Sequence, residues 1–200
     1  MDKVEGENNL NFKEFIQKNK LNESPVSTGV HLSSDMDSIN GNYSIYQSIL
    51  DNSEIDGHII FNGKKYDLYL ERSEESKPYW FVDINQPHLH AYFSYKPTKH
   101  GYTCNGMWKL KSSDLRMNWI LLEHFLPQLK LIFSDTSLTD KGITFWTVLI
   151  EDNINNLKYS FGIYYISKDE FIEYKKFEDF NDDKIWTNSD IKIWAKLNSK

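Results

Sequence analysis

The stretch Phe133-Ser134-Asp135-Thr136-Ser137-Leu138-Thr139-Asp140-Lys141-Gly142-Ile143-Thr144-Phe145-Trp146-Thr147-Val148-Leu149-Ile150 reads as the end of a buried strand, a polar turn and a helix. The apolar run from Leu129 to Phe133 leads into Ser134-Asp135, and Ile143, Trp146 and Ile150 then recur at i, i+3 and i+7, the spacing of one helix face. Thr139 stands where a hydroxyl N-cap is wanted, so a helix over 139–151 is expected.

Upstream of this unit the chain reads as a run of locally paired strands. Tyr43, Ile45, Tyr46, Ile49 and Leu50 form a helical stripe closing at Asp51-Asn52, and Gly57 to Phe61 turns to a strand. Asn62-Gly63 supplies the positive φ of a type I′ turn, with Tyr66, Leu68 and Leu70 alternating beyond it. Tyr79 to Val82, Ala91 to Tyr95 and Thr103 to Lys111 read as three more strands. Ser112-Ser113-Asp114 is expected to start a helix, with Leu115, Trp119, Leu122 and Leu126 as its buried stripe and Pro127 as its end.

Downstream, Leu157 to Ile166 is a long aromatic strand, Lys168 to Phe180 fits either a short helix or a strand with a loop, and Ile191 to Leu197 alternates as a half-exposed strand. Residues 1–40 are polar apart from Phe12, Phe15 and Ile16, which fit one turn of an amphipathic helix. A single domain over 41–200 preceded by a polar, partly flexible segment is therefore expected. Its class is mixed α/β, with a partly antiparallel central sheet of about six to seven strands and helices on both faces.

Composition excludes several functions. A formal charge of -6 and two arginines, Arg72 and Arg116, argue against general nucleic-acid binding, which rests on neutralising phosphates with Lys and Arg. The lone Cys104 rules out an internal disulfide and a cysteine-rich zinc module, and its place in a strand makes it a small buried residue. With no apolar run near membrane-spanning length and no secretory leader, a cytoplasmic protein without a membrane partner is expected.

The element order, together with Ser134, Asp135, Thr139, Gly142 and Trp146, resembles the GNAT acyltransferases, in particular the divergent GNAT-like proteins of tailed phages. Asp183-Lys184-Ile185-Trp186 followed by the strand from Ile191 to Leu197 is similar to the ending of that group. The resemblance covers about the last hundred residues. It implies acetyl-CoA or another acyl-CoA as cofactor and transfer to an amine of a protein or small molecule. In the family, the strand before the central helix splays from the next strand, and amide groups at the helix start hold the pyrophosphate. The matching segment here runs from Lys109 to Met117. The resemblance thus implies Lys109, Lys111, Ser112, Ser113 and Arg116 as cofactor-binding residues and Asp135 as the base that deprotonates the amine.

Two departures stand beside it. The segment from Lys109 to Met117 contains no glycine where the family has several, and the helix after Asp135 carries Phe145 and Trp146 where many members carry a tyrosine acid. The alternative is a catalytically inactive GNAT-like binding protein, an inhibitor or immunity-type protein with a protein partner, the latter fitting the acidic charge. Asp135 has a competing structural role as a turn cap. His88 and His90, with Asp83 nearby, form a two-histidine pattern for which no third metal ligand can be named. Glu71 and Glu123 are acids of unspecified geometry, and no nucleophile elbow or P-loop occurs.

Overall fold

A computed structural model describes residues 39–83, 85–86 and 88–198, the first three by backbone alone. The expected turn of helix at Phe12 to Ile16 lies outside the described residues, as does the rest of 1–38. The sheet has nine strands rather than six or seven: β1 (Ser53–Phe61), β2 (Lys64–Glu71), β3 (Lys77–Asp83), β4 (Leu89–Pro97), β5 (Tyr102–Lys109), β6 (Leu131–Phe133), β7 (Tyr159–Tyr165), β8 (Glu170–Tyr174) and β9 (Ile191–Leu197). Their order is β1-β2-β3-β4-β5-β6-β9-β7-β8, and every neighbouring pair is antiparallel except β5 and β6. Eight of the nine fall on runs read as strands from the sequence, and β8 comes from the ambiguous 168–180 stretch, which also forms a 3-10 turn at Phe177–Phe180.

That hairpin closes as expected, with Asn62 at φ 48° and Gly63 at φ 77° joining Phe61 to Lys64. Helix α1 (Ile39–Asn52) precedes it. A parallel pair cannot be joined by a tight turn, and α2 supplies the crossover between β5 and β6. It is built of three continuous segments, Met117–Trp119, a π-helical Ile120–Phe125 and Leu126–Leu129. Two expectations fail here. The helix begins after Arg116, which is extended and makes no side-chain cap, because Ser113 turns inward instead: its Oγ accepts from the Leu115 amide at 3.3 Å. Nor does Pro127 end the helix. The π turn before it lets the Leu126 amide reach Leu121 O, so the proline ring sits beyond a widened turn, and the helix stops at Lys130 with φ 66°.

Helix α3 (Asp140–Asn153) forms with its expected cap, Thr139 Oγ1 accepting from the Gly142 amide at 3.2 Å; of the expected stripe Trp146 and Ile150 are buried and joined by Leu149, while Ile143, one turn from the helix start, is only half-buried. Each such buried side chain contributes about 1.5–3 kcal/mol of burial. A short α4 (Asp183–Thr187) precedes β9.

Strand alternation separates two faces, both carrying helix as the sequence implied. Leu68, Phe81, Phe93, Cys104, Ile163 and Ile193 point to the face packed by α2, α3 and α4. Trp80, Val82, Tyr92 and Trp108 point to the other, where Ile45 and Ile49 of α1 cover them. Farther along this second face Phe133, Tyr164 and Trp194 form a separate aromatic cluster.

Candidate functional site

The site is created by a mismatch in strand length. The parallel pairing of β5 with β6 covers Tyr102↔Ile132 and Thr103↔Phe133 and then ends. Strand β6 stops at Phe133 while β5 runs on to Lys109. Ser134 holds the departing chain against β9: its amide donates to Ile193 O at 2.7 Å, and its Oγ accepts from the Ile193 amide at 3.0 Å. Beyond it the chain swings away toward Thr139, and a cleft opens between β5 and the start of α3.

Cys104, Asn105, Gly106 and Met107 form one wall; Asp135, Leu138, Thr139, Lys141, Gly142 and Trp146 form the other. The cavity measures about 100 Å³, below the roughly 300–1,000 Å³ of drug-sized ligand sites, so it is a small cleft. Along the β5 wall the ladder is irregular: Ser94 faces Gly106 and Tyr95 faces Cys104, which makes Asn105 the extra residue of a bulge. Ser94 Oγ donates to Asn105 Oδ1 at 2.9 Å.

Asp135 is half-buried in the wall of the cleft. Its Oδ1 accepts from the Thr136 amide at 2.7 Å, so the turn-capping role is real; among the described residues Oδ2 has no hydrogen-bond partner. Burial pushes the Cys104 thiol up to about 12, reinforced by the Asp135 charge, which leaves it protonated and inert.

On the opposite sheet face the seam between β5 and β6 is bridged by a residue that sequence reasoning missed. Lys192 of β9 reaches past the end of β6, and its Nζ donates to Thr103 Oγ1 at 2.9 Å. Burial draws its ammonium below the ordinary lysine range, Asp135 opposes that shift, and Lys96 adds to it. Only the alternation of Ile191, Lys192 and Ile193 hinted that this lysine faces away from the main core.

The five residues implied for cofactor binding do not converge. Lys109 Nζ donates to Ser113 O at 2.8 Å and Leu110 O at 3.2 Å, Ser113 is buried beside His90, and Lys111, Ser112 and Arg116 are exposed. Asp114 accepts from Tyr66 OH at 2.5 Å and pairs with Lys64 at 3.2 Å. His88 and His90 stack with centroids 4.5 Å apart and planes at 25°, so their in-plane lone pairs do not meet at one point. Among the described residues no three His, Cys, Asp or Glu side chains cluster as for a metal. Glu123 is held by Lys158 and Tyr159, away from the cleft. No helix among the described residues is long and apolar enough to cross a membrane.

No protein-family model, curated protein or solved structure matches the chain.

Proposed function

We propose that the protein is a GNAT-like acyl-CoA-dependent N-acyltransferase whose cleft between β5 and α3 takes the thioester arm of the cofactor. One observation carries the reading: the parallel pair β5/β6 parts after two register positions, and a small cavity with a carboxylate in its wall lies in the gap. The edge of β5 beyond Thr103 offers the amide and carbonyl groups of a strand edge, which suit an arm that itself contains amides. Asp135 takes the proton of the attacking amine, and its Oδ2 is the free acceptor for it. Lys141 on the outer wall suits the anionic end of the cofactor.

A second reading is favoured by a separate observation. Lys109 and Ser113 are spent on internal bonds, and the segment has no glycine to bring backbone close to phosphate, features of a catalytically silent GNAT-like protein acting on a protein partner.

Calorimetric titration with acetyl-CoA separates the two. The acyltransferase reading expects saturable binding below millimolar concentration, weakened severalfold by Lys141→Glu, and a turnover with small amines that Asp135→Asn lowers without changing binding. Absence of saturation at millimolar acetyl-CoA overturns it and leaves the partner-binding reading.

A further inference from the structure

The segment that joins β5 to α2 is seated on a buried histidine. The Leu110 amide donates to His90 O at 3.0 Å and the Ser113 amide donates back to Leu110 O at 3.0 Å, so a turn from Leu110 to Ser113 rests on the start of β4. Lys109 Nζ closes the turn by donating to Ser113 O at 2.8 Å, and Ser113 Oγ accepts from the Leu115 amide at 3.3 Å. Against it lies the His90 ring, 4% exposed, with Nδ1 3.4 Å from Ser113 Oγ and Nε2 buried without a hydrogen-bond partner among the described residues. Asp114, the next residue, is anchored separately, accepting from Tyr66 OH at 2.5 Å and pairing with Lys64 at 3.2 Å.

This site suits a neutral imidazole. An imidazolium brings two N–H donors and a charge, and the Ser113 hydroxyl can receive only one of the donors. Each element around the ring contributes a charged or titratable group: Tyr66 and Lys64 from β2, Asp83 from β3, His88 from just before β4, Lys109 from β5 and Asp114 from the turn. Neither carboxylate is aimed at the ring, since Asp83 Oδ1 accepts from the Asn85 amide at 2.8 Å and Asp114 Oδ1 from Tyr66. Asp83 and Asp114 favour the charged ring from a distance, but burial first, then His88 and Lys64, prevail and lower it to about 4. Relief does not require unfolding of the sheet. The Tyr66 hydrogen bond holds the Asp114 carboxyl below the ordinary carboxylate range, so one end of the segment stays fixed while the turn before it can move.

We propose that the turn is a pH-operated latch: protonation of His90 lifts Leu110 to Ser113 off β4, hinged between Lys109 and Asp114, and frees the Lys109 ammonium and the Ser113 amide. The closed form spends these donors on its own carbonyl groups, and the open form presents them, with the Ser113 hydroxyl, to an anionic ligand. The latch goes beyond the acyltransferase reading and does not rest on it.

Amide hydrogen exchange of the whole protein, followed by NMR from pH 7 to pH 5 and corrected for intrinsic rates, tests it. The Leu110 and Ser113 amides report the latch, and the Ile193 amide, bonded to Ser134 Oγ at 3.0 Å, reports unfolding of the sheet. The latch amides are expected to lose protection by about tenfold or more across this range and to remain at least about tenfold less protected than Ile193, the mark of a local opening. His90→Phe should remove the pH response of the latch amides. His88→Gln, which takes away a neighbour that disfavours the charged ring, should move the response to higher pH. Latch protection that is flat with pH, a response retained in His90→Phe, or latch and Ile193 protection that coincide throughout overturns the latch; so, where His90→Phe does not fold, does a response unmoved in His88→Gln. Acetyl-CoA takes no part in these readings, so their failure leaves the cleft assignment standing, and failure of acetyl-CoA to bind leaves the latch standing.

Discussion

Lys192 Nζ and Thr103 Oγ1, 89 positions apart in the chain, meet at 2.9 Å across the end of β6, at the point where the parallel pairing of β5 with β6 ceases. The bond joins two strands that are not neighbours in the sheet.

Removing one member of this pair differs from removing both. Thr103→Val leaves a half-buried ammonium without its acceptor and is expected to cost about 1–3 kcal/mol in urea unfolding. Lys192→Met removes the desolvated charge and is expected to be neutral or stabilising, and the double variant recovers most of the loss. Equal destabilisation by both single variants, adding in the double, contradicts this.

His90 makes stability depend on pH. It is 4% exposed, its Nε2 has no partner, and Nδ1 lies 3.4 Å from Ser113 Oγ. Burial first, then His88 and Lys64, lower it to about 4 from 6.5, against the opposing pull of Asp83 and Asp114. The folded state therefore takes up this proton later than the unfolded one as pH falls. Its contribution is complete above pH 6.5 and is lost progressively down to about 4, on the order of 3 kcal/mol. His124, lowered mainly by burial, adds a slope of the same sign. Denaturation midpoints across this window should fall less steeply in His90→Phe; identical slopes would refute the assignment.

Gly162 is required for close approach. A Cβ there would stand 2.0 Å from Ile172 O and 2.6 Å from Trp194 Cζ2, one a strand carbonyl and the other a ring fixed by its Nε1 bond to Ile163 O at 3.0 Å. Gly162→Ala is expected to destabilise by about 1–3 kcal/mol or more, and unchanged chemical denaturation would show that β7 and β9 separate easily.

Thr139→Ala removes the N-cap of α3 and should cost about 1 kcal/mol, while Thr139→Ser retains most of it. Because Thr139 also lines the cleft, the alanine variant should weaken acetyl-CoA binding alongside stability. Loss of binding with full stability would make its role purely one of contact.

Local chemistry was legible wherever the deciding forces act within a few residues. The Asn62-Gly63 turn, the Thr139 cap and the Trp146–Ile150 face follow from backbone dihedrals, one hydroxyl and helical periodicity. Where two local signals compete, tertiary contacts chose. Ser113 had the residue type of a cap, yet its hydroxyl accepts from Leu115 and faces His90, so α2 starts later. Pro127 looked like a terminator, and a π turn accommodates it.

By itself the sequence determined a mixed α/β domain, its hairpin, the strand–turn–helix unit and the place of Asp135, because hydrophobic period and turn chemistry are short-range. The tertiary structure alone decided that β6 is too short to accompany β5, that the gap holds a cleft, and that Lys192 closes it from behind. Those features depend on the register between strands distant in the chain, and a side chain at position 192 carries no local mark of the threonine 89 residues before it.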